Sequence, residues 1–424
     1  MTEAQVHLVR RVRSASGALE SGVAAPPPLS VYVHLPWCLA KCPYCDFNSH
    51  TWRGAGGLPE DDYLNALQCD LEAALPLVWG RSVQTVFLGG GTPSLFSPGA
   101  IDSLVTLLRT RLRFAAGAEV TMEANPGTFE AQRFRDFAAA GVNRLSIGVQ
   151  TFNDRALQAI GRVHDAQQAR AAVDLAARVF ETFNVDLMYA LPGQSLAELE
   201  ADLDEALGRG APHLSCYHLT LEPGTPFARR PPTLPDDELS ADMEAMVEAS
   251  CTAAGLERYE VSAYAQPGHR CRHNLNYWQF GDYLGLGAGA HGKLSFASRI
   301  VRQSRVRQPA RYLSALNVEA SASGRDLPPD PADAAVLSDP WLDEVRVVGA
   351  ADLPFEFMLN ALRLVEGVPT TLFLERTGLS FASIAETLER AQTRGLMYSA
   401  PGWIRPTSLG VRFLNDLQAM FLAR

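Results

Sequence analysis

The chain has 424 residues, 47% of them hydrophobic and 20% charged, with a formal net charge of −10. That is room for one large domain and a smaller one around an ordinary buried core, and the acidic balance argues against a broad nucleic-acid-binding face. No apolar run is long enough to span a bilayer or to form a signal-peptide core. Of the seven cysteines, Cys69, Cys216, Cys251 and Cys271 are scattered, which is no disulfide framework and points to a reducing cytoplasm.

Residues 1–29 carry Arg10, Arg11 and Arg13, then small residues and Pro26-Pro27-Pro28, and read as a mobile, disordered arm. From Val31 the chain alternates short β-branched runs with longer amphipathic ones. Strands are predicted at Val31–Leu35, Val83–Leu88, Val120–Glu123, Arg144–Val149, Asn184–Met188 and Leu214–Leu219. Helices are predicted at Asp61–Leu75, Pro98–Leu112, Glu130–Ala140, Ala166–Val179 and Leu196–Leu207. Strand and helix alternating at this spacing build βαβ units, an α/β fold with a parallel sheet and its site at the carboxyl ends of the strands. The spacing alone leaves a partial barrel and a doubly wound sheet both open.

The motifs fall on those strand ends. After the first strand comes Cys38-x3-Cys42-x2-Cys45. Three close thiolates suit an iron–sulfur cluster, because soft sulfur selects iron–sulfur or zinc over hard cations, and a four-iron cluster on three thiolates leaves one iron free for a ligand. A zinc site with His34 or His50 as fourth ligand is the competing reading, and structural zinc wants a closed tetrahedron. Gly89-Gly90-Gly91-Thr92-Pro93 follows the second strand; it lacks the lysine of a phosphate loop and the spacing of a dinucleotide fingerprint. Glu123-Ala124-Asn125-Pro126 follows the third strand, Gly148-Val149-Gln150 the fourth, then Gly161-Arg162, and Val185-Asp186-Leu187-Met188 the fifth. One polar group per strand end, around one centre, is a series that chance rarely gives.

The cysteine spacing resembles the signature of radical S-adenosylmethionine (SAM) proteins. In that family the free iron chelates SAM, and the reduced cluster breaks a carbon–sulfur bond to release a deoxyadenosyl radical. The motif order from Tyr32 to His291 resembles the oxygen-independent coproporphyrinogen III oxidase branch of the family and implies an open (β/α)6 barrel. By that likeness Tyr32, Gly90, Gly91, Thr92, Glu123, Gln150, Arg162 and Asp186 contact SAM. Glu123 suits its amino group, Arg162 its carboxylate, and Gln150 and Asp186 its ribose hydroxyls, while Tyr44 packs against the adenine. The true oxidases carry a further cysteine where this chain has Phe47. That residue and His273-Asn274-Leu275-Asn276-Tyr277-Trp278 resemble instead the haem chaperones of the HemW type, in which HNxxYW is associated with haem. His273 offers an imidazole for iron, and Tyr277 and Trp278 a flat apolar surface; His269, Cys271 and His291 are lesser candidates.

The resemblance therefore implies a [4Fe–4S] cluster, SAM and haem as ligands, with Cys38, Cys42 and Cys45 as the metal ligands. It further implies delivery of haem to an acceptor protein and an external electron donor. Porphyrinogen decarboxylation is the alternative activity. No nucleic acid is expected, and association with a membrane is weak at most. Leu284 to Gly292, rich in glycine and alanine, reads as backbone pressed against the adenosyl group or the porphyrin. Residues 30–300 form the predicted core, 301–350 a Pro- and Asp-rich linker or insertion, and 351–424 a C-terminal winged-helix-like domain. In that last part, helices are expected at Phe355–Leu364, Thr370–Arg376 and Phe381–Arg394, then a β-wing, then a last helix at Leu409–Leu422.

Overall fold

The computed structural model describes residues 11–13, 22–54, 56–128, 131–317 and 339–423. Six strands form its centre: β1 (Leu29–Leu35), β2 (Ser82–Gly90), β3 (Arg113–Ala124), β4 (Arg144–Gln150), β5 (Thr182–Tyr189) and β6 (His213–His218). They lie side by side in chain order and every neighbouring pair is parallel. Helices α1 (Glu60–Val78), α2 (Pro98–Arg111), α3 (Ala131–Ala139), α4 (Ala166–Val179) and α5 (Leu196–Gly208) make the crossovers. Each of the six predicted strands and five predicted helices is present, and the arrangement is the open (β/α)6 barrel.

Local chemistry accounts for these elements. In β1 only Tyr32 departs from full burial, as expected of a parallel strand covered on both faces. α4 and α5 each begin with a capping box, Asp165 with Gln168 and Ser195 with Glu198, which satisfies end N–H groups reciprocally. Val31, Val33, Val86, Leu88, Val120 and Ile147 belong to one continuous core running under the helices.

The sheet continues past β1. β7 (Asp282–Leu286) pairs in parallel with it, and β8 (His291–Phe296), β9 (Arg299–Arg305) and β10 (Leu342–Val347) add antiparallel. Here two expectations fail. Arg11–Arg13 form a short strand parallel to β10, and Val23 is buried among C-terminal apolar residues with its N–H on the Ala297 carbonyl at 3.1 Å. The predicted arm is thus tied down over 11–13 and 22–29; residues 1–10 and 14–21 lie outside the described ones. The predicted linker 301–350 holds β9, a helix at Pro309–Ser314 and β10, while the Pro-rich 318–338 lies outside the described residues. Gln303, Arg305 and Asp339, polar residues of this stretch, are internal. Arg305 is buried between Asp70, at 2.8 Å, and Asp339, at 3.6 Å.

The C-terminal part has helices at Leu353–Ala361, Thr370–Thr377 and Ala382–Thr393, and Val368–Pro369 pairs with Trp403–Ile404. The predicted last helix breaks in two at Phe413, where φ is −107° and ψ 42°. Phe357 and Phe373 share a core with Val23, Phe280 and Ile300, so this part is seated on the outer end of the sheet. No helix among the described residues is long and apolar enough to cross a membrane.

Candidate functional site

The cysteine loop leaves β1 at Pro36 and is closed at its base by Trp37–Cys38 pairing with His50–Thr51. Thr92 Oγ1 donates to Cys38 Sγ at 3.4 Å. Arg162 Nη1 reaches Cys42 Sγ at 3.7 Å, and Cys45 Sγ lies 3.6 Å from Ser49 Oγ. All three thiols line one chamber of about 490 Å³ at the carboxyl ends of the strands. Burial pushes the Cys38 thiol pKa up, so a cationic metal centre is what would hold it as thiolate. The zinc alternative finds little support. His34 uses Nδ1 on the Tyr32 hydroxyl and Nε2 on the Asn48 carbonyl, both at 3.0 Å. His50 has its Nε2 on Asn48 Oδ1, at 3.2 Å.

The opposite wall comes from the strand ends. Glu123, next to last in β3, accepts the Gly90 N–H at 3.0 Å. Burial, with Asp186 nearby, moves its pKa up to about 7. Asp186, in β5, accepts from Asn184 at 2.7 Å and Ser146 at 3.2 Å, and burial lifts it to about 6. Glu123 and Asp186 are thus two buried carboxyls facing one chamber, with the Arg162 guanidinium acting on Asp186. Gln150 holds φ at 71°, a left-handed backbone that costs a non-glycine residue about 1–2 kcal/mol and persists where surrounding structure enforces it. Arg162 donates to the Gly148 carbonyl at 2.6 Å and keeps a buried Nε without a hydrogen-bond partner among the described residues. The donor set therefore fits the groups the sequence implies: thiols for a cluster, the Glu123 carboxyl for an ammonium, a guanidinium for a carboxylate, and Gln150 and Asp186 for hydroxyls. Tyr44, Gly90, Gly91 and Thr92 line the same chamber. The glycines there answer to the protein itself, since a Cβ on Gly90 would strike the His34 ring and one on Gly91 the backbone of Trp37 and Pro36.

Tyr32 faces elsewhere. It lines a second chamber of about 530 Å³, which meets the first at Asp46, Phe47, Gly90 and Glu123. Phe47 stands at that junction, 62% exposed. Tyr277, Trp278 and Tyr283 form the aromatic wall, and His291, Arg302 and Arg307 bring nitrogen groups to it. Asn48 ties the cysteine loop to this side, donating through Nδ2 to the carbonyls of Ala288, at 2.9 Å, and Arg307, at 2.8 Å. The Gly-rich run is packed on these same internal groups: a Cβ on Gly287 would strike the His34 carbonyl and one on Gly289 the Asn48 side chain.

The HNxxYW motif is a short helix, α6 (Arg272–Trp278). Glu119 caps it, its carboxylate accepting the N–H of Arg272 at 3.1 Å and of His273 at 3.0 Å. His273 is 1% exposed and lines neither chamber. Its Nδ1 meets Thr85 Oγ1 at 2.7 Å, its Nε2 meets the Tyr277 hydroxyl at 2.9 Å, and burial lowers its pKa to about 3. Asn276 donates to Ser30 at 2.8 Å and to the Asp282 carbonyl at 2.9 Å. These two residues fasten the helix to β1, β2 and β7. His269 gives its carbonyl to the buried Arg144 at 3.0 Å, and Cys271 is buried against Glu119. Sequence reading missed the polar floor of the first chamber, Arg144, Ser146, Asn184, His213 and Ser215. The every-second-residue spacing of Asn184 with Asp186, and of His213 with Ser215, was the available signal.

Comparison with known proteins agrees with this arrangement. A model of the radical SAM superfamily matches residues 32–206, and one of the HemN C-terminal domain matches 349–413. Over 399 residues the chain is 46% identical to the heme chaperone HemW of Escherichia coli, covering 94% of this chain and 99% of that one. The chain belongs to the HemW family of radical SAM proteins. To the heme chaperone HemW of Bacillus subtilis it is 32% identical over 400 residues, covering 93% of this chain and 99% of that one. The structure of coproporphyrinogen III oxidase (HemN) from Escherichia coli, a radical SAM enzyme, superposes with a TM-score of 0.76. The match covers 93% of this chain and 90% of that one at 23% identity, and it establishes a shared fold.

Proposed function

We propose that this protein is a haem chaperone of the cytoplasm: it binds haem in the second chamber and passes it to an acceptor protein. The observation that carries this reading is the second chamber itself, aromatic on one wall and bearing cationic groups on another. That combination suits a flat macrocycle with two propionates. The names of the relatives covering nearly the whole chain support it. Phe47 supports it too, standing where the resemblance places the oxidases' further cysteine.

Cys38, Cys42 and Cys45 are the side chains that would hold a [4Fe–4S] cluster. Glu123, Arg162, Gln150 and Asp186 would hold SAM at its ammonium, carboxylate and ribose, and Tyr44 would flank the adenine. Bound there, the cluster supplies an open iron and, from an external donor, an electron. The chain's own part is to keep two carboxyls and a guanidinium desolvated and aimed at one ligand, where charge-assisted hydrogen bonds are strongest.

The test uses anaerobically reconstituted protein. Haem titration followed by mixing with a haem-free acceptor globin is expected to give stoichiometric binding and transfer. A parallel incubation with SAM, reductant and coproporphyrinogen III, read by mass spectrometry, is expected to give no vinyl-bearing porphyrin. Vinyl product over multiple turnovers would make the protein an oxidase and overturn the chaperone reading.

A further inference from the structure

The residue that the motif suggests as iron ligand is not placed to be one. Both ring nitrogens of His273 are taken, and neither chamber exposes them. Among the groups that line the second chamber and could ligate iron, most are also engaged. His34 is bonded at both nitrogens. The hydroxyls of Tyr277 and Tyr283 meet His273 and Arg302, and Lys293 is held by Asp282 at 2.9 Å.

His291 differs. It opens β8, is exposed on the chamber, and its imidazole makes no hydrogen bond among the described residues. Burial and the nearby Arg307 and Arg302 lower its pKa, against Glu344, which raises it, so the ring is neutral near pH 7 with a lone pair to give a metal. Arg302 is committed to Tyr283 and Glu356, whereas Arg307 is exposed on the chamber and carries no ion pair among the described residues.

We propose that His291, rather than His273, ligates the haem iron in the second chamber, and that Arg307 meets a haem propionate. The assignment rests on the chaperone reading above and adds to it an orientation, with the iron facing β8 and the macrocycle lying along Tyr277 and Trp278. Ligation here is simple coordination: the imidazole nitrogen displaces whatever weak ligand free haem carries, with no change of redox state. His273 keeps a different task, positioning the Tyr277 wall.

Haem is titrated into the full-length, cluster-loaded protein under anaerobic conditions, with the Soret band and the electron paramagnetic resonance of the ferric complex as readouts. His291→Ala is expected to lose the histidine-ligated spectrum and weaken haem binding by about tenfold or more. His291→Cys is expected to convert the spectrum to a thiolate type, which only a residue at the iron can do. His273→Gln is expected to keep the wild-type spectrum; should that variant not fold, the cysteine variant decides. Arg307→Gln is expected to weaken haem by about tenfold while leaving haem dimethyl ester unchanged, since a charge-assisted hydrogen bond to a propionate is all it loses. A wild-type spectrum in both His291 variants overturns the assignment and leaves the chaperone reading intact. Absence of haem binding by the wild-type protein overturns both.

Discussion

Glu123 offers a direct test of the electrostatics of the first chamber. Its carboxyl is buried, accepts one backbone N–H, and has its pKa moved from 4.5 to about 7, chiefly by burial and further by Asp186. Below pH 4.5 the group is protonated both folded and unfolded and contributes nothing to the pH dependence. As pH rises from there, the unfolded chain gives up the proton while the folded one keeps it, so stability falls until the folded group also ionises near pH 7. The full displacement is worth roughly 3 kcal/mol. Glu123→Gln keeps an acceptor for Gly90 but does not titrate. Without SAM, the variant and the wild type are expected to melt together at pH 4.5 and to diverge as pH rises. At pH 8 the variant is expected to be the more stable by a few degrees in Tm. Asp186, itself lifted to about 6, titrates in both proteins; losing its charged neighbour adds to the difference in the same direction. SAM is expected to raise the wild-type Tm at pH 8 and to do so far less in the variant. Melting curves whose separation is the same from pH 4.5 to pH 8 would refute the reasoning.

Other consequences are as direct. Cys38→Ala, Cys42→Ala and Cys45→Ala are each expected to abolish the cluster's visible absorbance, since each removes one of three thiolates; full iron content in all three variants would sink the cluster assignment. Asp282→Ala leaves Lys293 and Arg81 without their carboxylate, at side-chain exposures of 2% and 15%. Stripping one partner from a buried pair costs about 3–5 kcal/mol in denaturant unfolding, and a loss below about 1 kcal/mol would contradict it. Glu119→Ala removes the acceptor of two N–H groups at the start of α6. It is expected to cost about 1–3 kcal/mol and to lower haem affinity through the displaced Tyr277 wall; unchanged affinity in a destabilised variant would separate helix from chamber.

Much of this molecule was legible from periodicity. The barrel strands are short β-branched runs buried on both faces, and the helices between them carry their own start signals, as in Ser195 with Glu198. The strand-end residues that line the first chamber were legible for the same reason, because a polar side chain there has only the chamber to face. Three things were not. Arg305 falls in the stretch read as a linker, yet its carboxylate partners come from α1 and from residue 339, contacts that no local pattern records. His273 was identified as a residue but not as a direction, because a seven-residue helix has room to turn either face to the sheet. Tyr32 and His34 share a strand face by parity, and His34 points at the cysteine loop; that parity, taken with β7 pairing onto β1, is what puts Tyr32 in the second chamber.

Asn48 has a bearing on the order in which this protein comes together. Its two hydrogen bonds close contacts 240 and 259 residues apart in the sequence. Contacts of that span add little until the chain between them is already ordered. The cysteines leave the ribosome early, within the first fifty residues, while the carbonyls that fix their loop arrive only after β9 has been synthesised. A nascent chain thus presents three thiols on an unlatched loop for most of its synthesis. The final shape of that loop reports that the far side of the sheet has joined.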